Sequence, residues 1–94
     1  MISIKFHENV VACCDNELIG KTFEEEKLFL NISKRFYEGE LFDEEKVIKV
    51  LSEANNLSLV GEKIIGLALK EGFINEEDVI RVQGVPHAQI YICE

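Results

Sequence analysis

The residues whose types could do chemistry are few, and several collect near the end of the chain. Gly84-Val85-Pro86-His87-Ala88-Gln89 holds the single proline and one of the two histidines, with β-branched residues on both sides. Glycine permits backbone conformations that other residues resist, and proline fixes φ while donating no amide hydrogen bond. The stretch therefore reads as a tight loop presenting His87 and Gln89 between two strands. An imidazole, titrating at about 6.5, can donate, accept or shuttle a proton. The plainer role for His87 is to tie its own loop to the backbone.

Gly20-Lys21-Thr22 echoes the end of a phosphate-binding loop. Asp15 stands where that loop needs its first glycine, however, and no helix pattern follows. Cys13, Cys14, Cys93, His7 and His87 include no pair at short ligand spacing, so no metal is expected. Adjacent side chains on a strand point to opposite faces, which keeps Cys13 and Cys14 from converging on one ligand. A Cys–His nucleophile pair meets the same objection. No cofactor is implied.

The elements that must position these residues follow from periodicity. Ile2, Ile4 and Phe6 alternate with Ser3 and Lys5, the period of a strand over 2–6, and residues 10–14 read as a returning, more buried strand. Leu28, Leu30 and Ile32 mark a further strand over 27–32, and Ser33–Glu40 reads as a helical turn or irregular loop ended by Gly39. Asp43 can cap a helix over 43–54, with Phe42 and Val47 spaced as a hydrophobic staple and Val47, Ile48, Leu51 and Ala54 on one face. A second helix is expected from Ser58 to Glu71, with Val60, Ile64, Leu67 and Ala68 as its stripe and Gly72 as its stop. Gly61 and Gly66 inside it would cost about 1 kcal/mol each against alanine, which points to close packing or to something bound. Were the 84–89 loop to lie over the N-terminal end of this helix, its free N–H groups would line a polar pocket able to hold an anion. Val79–Val82 and Ile90–Cys93 complete a terminal hairpin. The fold class is α+β: a mostly antiparallel sheet from the N-terminal strands and the C-terminal hairpin, with two consecutive helices on one face.

Length and composition bound the rest. Residues 1–94 make one domain, with no apolar run near the ~20 residues that span a bilayer and no signal-peptide pattern. An odd number of cysteines, two of them adjacent, points to reduced thiols and a cytoplasmic location. The net charge of −8, from 18 acidic and 10 basic residues, argues against bulk nucleic-acid binding. A local RNA contact stays open if Lys21, Lys34 and Arg35 cluster. The acidic runs at 24–26, 43–45 and 76–78 suit turns and first helical turns. Edge strands in a terminal hairpin leave a homodimer open.

Leu18-Ile19-Gly20-Lys21-Thr22-Phe23, Arg35-Phe36-Tyr37-Glu38-Gly39, Leu59-Val60-Gly61-Glu62 and Gly84–Gln89 occur in this order. Together they resemble an archaeal family called domain of unknown function number 424, over nearly the whole chain. Ser58 stands where the family pattern has asparagine; both residues cap helices. The resemblance implies an archaeal, cytosolic, single-domain protein with no established activity and a link to genes of the translation apparatus. Its motif positions fall on Gly20, Lys21, Tyr37, Gly39, Gly61, Glu62, Pro86, His87 and Gln89. The candidate binding residues are accordingly Lys21, Tyr37, Gly61, Glu62, Pro86, His87 and Gln89. They fit a small interaction module whose partner is a protein or local RNA feature of the translation apparatus. The alternative is a small enzyme, with His87 as general acid or base, Glu62 near a helix N-terminus and Lys21 holding an anionic substrate.

Overall fold

The computed structural model describes residues 1–91; Ile92, Cys93 and Glu94, with the thiol weighed above as a metal ligand, lie outside them. Eight strands are present: β1 (Ile2–Phe6), β2 (Val11–Asp15), β3 (Thr22–Glu25), β4 (Leu28–Asn31), β5 (Glu40–Phe42), β6 (Asn56–Val60), β7 (Ile80–Val82) and β8 (Val85–Tyr91). The helices are α1 (Lys34–Tyr37), α2 (Glu44–Glu53) and α3 (Glu62–Lys70). Six strands form one sheet in the order β5-β1-β2-β6-β8-β7, and β3 and β4 make a separate hairpin. Every pairing is antiparallel except β2 with β6. The α+β class and the mostly antiparallel sheet are as the sequence implies.

Both faces of the sheet are covered, which explains why strict alternation fails in β1. On one face, α2 and α3 bury Val47, Leu51, Ile64, Ile65 and Ala68 against Ile4, Cys13, Leu59 and Ala88. On the other, Tyr37 of α1 and Leu30 and Ile32 of the hairpin region pack against Ala12, Cys14, Val60 and Val82. Ser3 is consequently as buried as Ile4; its hydroxyl donates to the Tyr37 carbonyl and accepts from the Gly39 N–H. Phe6 stays exposed at the strand end, tilted against Phe42. Cys13 and Cys14 do point to opposite faces. Burial, reinforced by nearby negative charge, pushes both thiols up to about 12, so both stay protonated at neutral pH.

α2 starts as its sequence dictates, with the Asp43 carboxylate accepting the Lys46 N–H at 3.0 Å. The expected helix from Ser58 is instead a strand followed by a helix. Leu57 and Leu59 face α3 while Ser58 and Val60 face the other core. A strand buried on both faces has no polar side, and its apolar run merges with the helical stripe that follows.

The expected 84–89 loop is also a strand. The turn is Gln83-Gly84, both with positive φ (51° and 80°), closing a two-residue hairpin between Val82 and Val85. Pro86, His87 and Gln89 all lie within β8, between β6 and β7. A proline in a central strand is tolerated here for a specific reason. Its carbonyl accepts the Gly61 N–H at 2.9 Å, and its nitrogen faces the same side. The Gly61 carbonyl that an N–H would seek already accepts from Ile65 at 3.0 Å, so no ladder bond is missing.

Candidate functional site

The β8 strand does meet the N-terminal end of a helix, at Gly61–Glu62 and not at Ser58. Alternation along β8 then splits the motif residues between two faces. Pro86 points to the α3 side, where it joins Asp15, Glu62, Lys63 and Gly84 around a shallow depression of about 180 Å³. His87 and Gln89, opposite Val60 and Ser58, belong to the other face.

The depression is not a vacant anion site. The Asp15 carboxylate, at the end of β2, accepts the N–H groups of Lys63 (2.8 Å) and Ile64 (2.9 Å) and so caps α3 from another strand. Burial pushes the Asp15 carboxyl above its ordinary range, opposed by those two N–H donors. Gly61, at φ 121° and ψ 154°, occupies backbone space essentially reserved for glycine, and a Cβ there would collide with the Asp15 side chain. Gly61 is thus explained by close approach. Gly66 is not: a Cβ would meet nothing within 4 Å. It borders a cavity of about 500 Å³, with Ile2, Phe42, Leu67 and Lys70, and none of the candidate residues lines that cavity.

On the other face the Tyr37 hydroxyl is 2.9 Å from Ser58 Oγ, both groups buried. Burial holds the Tyr37 phenol above its ordinary range, so it remains a neutral hydrogen-bonding group. Next to Ser58 in the cross-strand row stands Gln89, exposed, accepting the Tyr91 hydroxyl at 3.1 Å. His87 is half-buried between Val60 and Ile80, and its ring makes no hydrogen bond among the described residues. It does not tie down a loop. Burial alone lowers its pKa, leaving the ring neutral at pH 7 with both nitrogens free to bond.

Lys21 lies elsewhere, in the turn before β3, exposed, its carbonyl accepting the Ile32 N–H at 2.9 Å. Thr22 opens a strand, so the Gly20-Lys21-Thr22 triplet is not a phosphate loop. Glu62 and His87 stand on opposite sides of β8, so the acid–base constellation weighed from sequence is not assembled. Among the described residues no group of three or more His, Cys, Asp or Glu could hold a metal ion. No described helix is long and apolar enough to cross a membrane.

Sequence reasoning missed Asp15 and Ser58. A carboxylate ending an apolar strand is the one local sign that Asp15 has a buried partner.

A crystal structure of an uncharacterized conserved protein from the archaeon Methanopyrus kandleri is similar to the whole fold, with a TM-score of 0.73 and 25% identity over 98% of this chain and 90% of that one. No protein of curated function matches the chain. The family described as "Protein of unknown function (DUF424)" matches residues 3–93, and the chain belongs to that family.

Proposed function

We propose that the protein is a small cytosolic interaction module that makes its contact through the open face of β8. Its partner is a protein or local RNA feature of the translation apparatus, a source supported by the family resemblance. One observation carries the contact surface: His87, in the middle of a central strand, has a neutral ring without a hydrogen-bond partner among the described residues. Exposed Gln89, Tyr91 and Ile80 flank it. α1 packs over β1 and β2, and the β3–β4 hairpin packs beside β7, so the stretch of β8 between them is left open. Buried polar groups are normally bonded, and a half-buried ring with two free nitrogens suits completion by a bound molecule.

Affinity capture from native lysate tests the reading, with wild type beside His87→Ala. Ribosomal or initiation components recovered by wild type and lost by the variant, at unchanged thermal stability, are expected. Equal recovery by both proteins would remove the β8 face as the contact surface.

A further inference from the structure

The acidic balance of the chain conceals one basic surface. Lys5, Lys21, Lys34 and Arg35 are four of the ten Lys and Arg residues. The Lys5 ammonium donates to the Arg35 carbonyl at 2.7 Å, and Lys34 Cε lies 3.6 Å from where a Cβ on Gly20 would stand, next to Lys21. α1 and the turn before β3 therefore bring all four cations to one side of the molecule. Acids outnumber bases 18 to 10, yet among the described residues none of these four has a carboxylate within 4.0 Å. The single ion pair found there, Lys63–Glu17, involves none of them. Four neighbouring cations without counter-charges repel one another and raise the local positive potential.

This surface adjoins the open face of β8. Lys5, Ala12, Ser58 and Gln89 form one row across four adjacent strands, so Lys5 and Gln89 stand about 14 Å apart at the usual strand spacing. His87 and Tyr91 share the face with Gln89. Ala12 and Ser58 of that row are buried beneath Tyr37, so the way from these cations to an amide, an imidazole and an exposed phenol ring runs over the outer side of α1, where Lys34 and Arg35 are exposed.

We propose that this surface binds a single-stranded polynucleotide segment about four nucleotides long. Phosphates lie against Lys5, Lys21, Lys34 and Arg35, and unstacked bases lie against Tyr91 and His87, with Gln89 bonding a base edge. This rests on the interaction-module reading and names its ligand. Sequence-tolerant single-strand sites combine cations that track the backbone with aromatic faces on which bases stack. A duplex fits poorly, because its paired, stacked bases cannot lie against Tyr91 and His87, and a second backbone would meet the acidic run at 24–26 on the hairpin beside β7. The restriction to a small patch agrees with the unfavourable net charge for bulk nucleic acid.

The test is fluorescence anisotropy of a labelled mixed-sequence 12-mer with the full chain, as single-stranded RNA, single-stranded DNA and duplex. Four phosphate contacts predict a single-strand affinity that falls about 50-fold between 50 and 200 mM salt. K34E/R35E is expected to lose tenfold or more, and Tyr91→Ala about tenfold. K46E/K49E, on the exposed side of α2, should bind as wild type does. Tighter binding of RNA than DNA assigns the site to RNA; equal binding supports a site that does not read the 2′-hydroxyl. Absence of binding at 50 mM salt, equal binding of duplex, or indifference to K34E/R35E would each overturn the proposal. Should the oligonucleotide go unbound while His87→Ala still abolishes lysate capture, the polynucleotide is excluded and the module stands.

Discussion

The two ends of the motif set behave differently. Around Gly61 the backbone groups and the Asp15 carboxylate are used by the fold: Asp15 takes two helix N–H groups, Pro86 takes the Gly61 N–H, and the Gly61 carbonyl takes Ile65. Across β8, the His87 ring and the cationic groups of Lys34 and Arg35 have no such partners among the described residues. Residues of one junction hold the sheet to α3; residues of the other face are satisfied only in part by the fold. Recurrent motif residues thus divide by hydrogen-bond accounting into those the fold consumes and those it leaves over.

Substitutions sharpen that division. The largest loss is expected at the junction, where Gly61→Ala forces a non-glycine residue into a reserved conformation against Asp15. A cost of about 3 kcal/mol is expected, lowering Tm by more than about 10 °C. Asp15→Ala leaves two helix N–H groups without their acceptor and should cost about 2–3 kcal/mol by urea denaturation. If either variant melts like wild type, the junction is not the clasp described here. Tyr37→Phe crosses the division. Tyr37, on α1, is buried on the same side of the sheet as His87, and its hydroxyl is taken up by Ser58. The variant should lose about 1–2 kcal/mol of stability and leave partner capture unchanged. Lost capture at unchanged stability would move Tyr37 into the contact surface.

Legibility in the sequence follows the same line. What depends on neighbours in the chain could be read: the β1–β2 hairpin, the Asp43 cap, the opposite facing of Cys13 and Cys14, and the existence, though not the turn, of the terminal hairpin. What depends on distant partners could not. Asp15 caps a helix 48 and 49 residues away, and no local pattern announces that pairing. β6 lost its strand signal because two cores cover it, and β5, three residues at the sheet edge, is too short to show a period. Gly84 and Pro86 imply one loop in the sequence because both punctuate chains. Only the Gly61 contact explains how a proline sits in a central strand. Among the candidate residues, Gly61, Glu62 and Pro86 converge, Tyr37, His87 and Gln89 share the other face, and Lys21 joins the α1 cations.

The smallest expected effect is also the most specific to the open face. Burial lowers the His87 pKa in the folded protein, while the unfolded chain keeps an ordinary imidazole at about 6.5. Above that value both states are neutral there, and the stability associated with the neutral ring is fully present. As pH falls through about 6.5 the unfolded state takes the proton first, so this stability is lost progressively down through the folded pKa. Urea denaturation at pH 7.5 and 5.5 should show a loss in wild type that shrinks in His87→Gln. Ring resonances followed by NMR should place the His87 midpoint below the ordinary value in the free protein. A hydrogen-bond acceptor or carboxylate supplied by a bound partner would favour the imidazolium and raise that midpoint. A free-protein midpoint at or above the ordinary value would mean that the ring already has a stabilising partner, and the contrast between the two faces would fail at its most exposed residue.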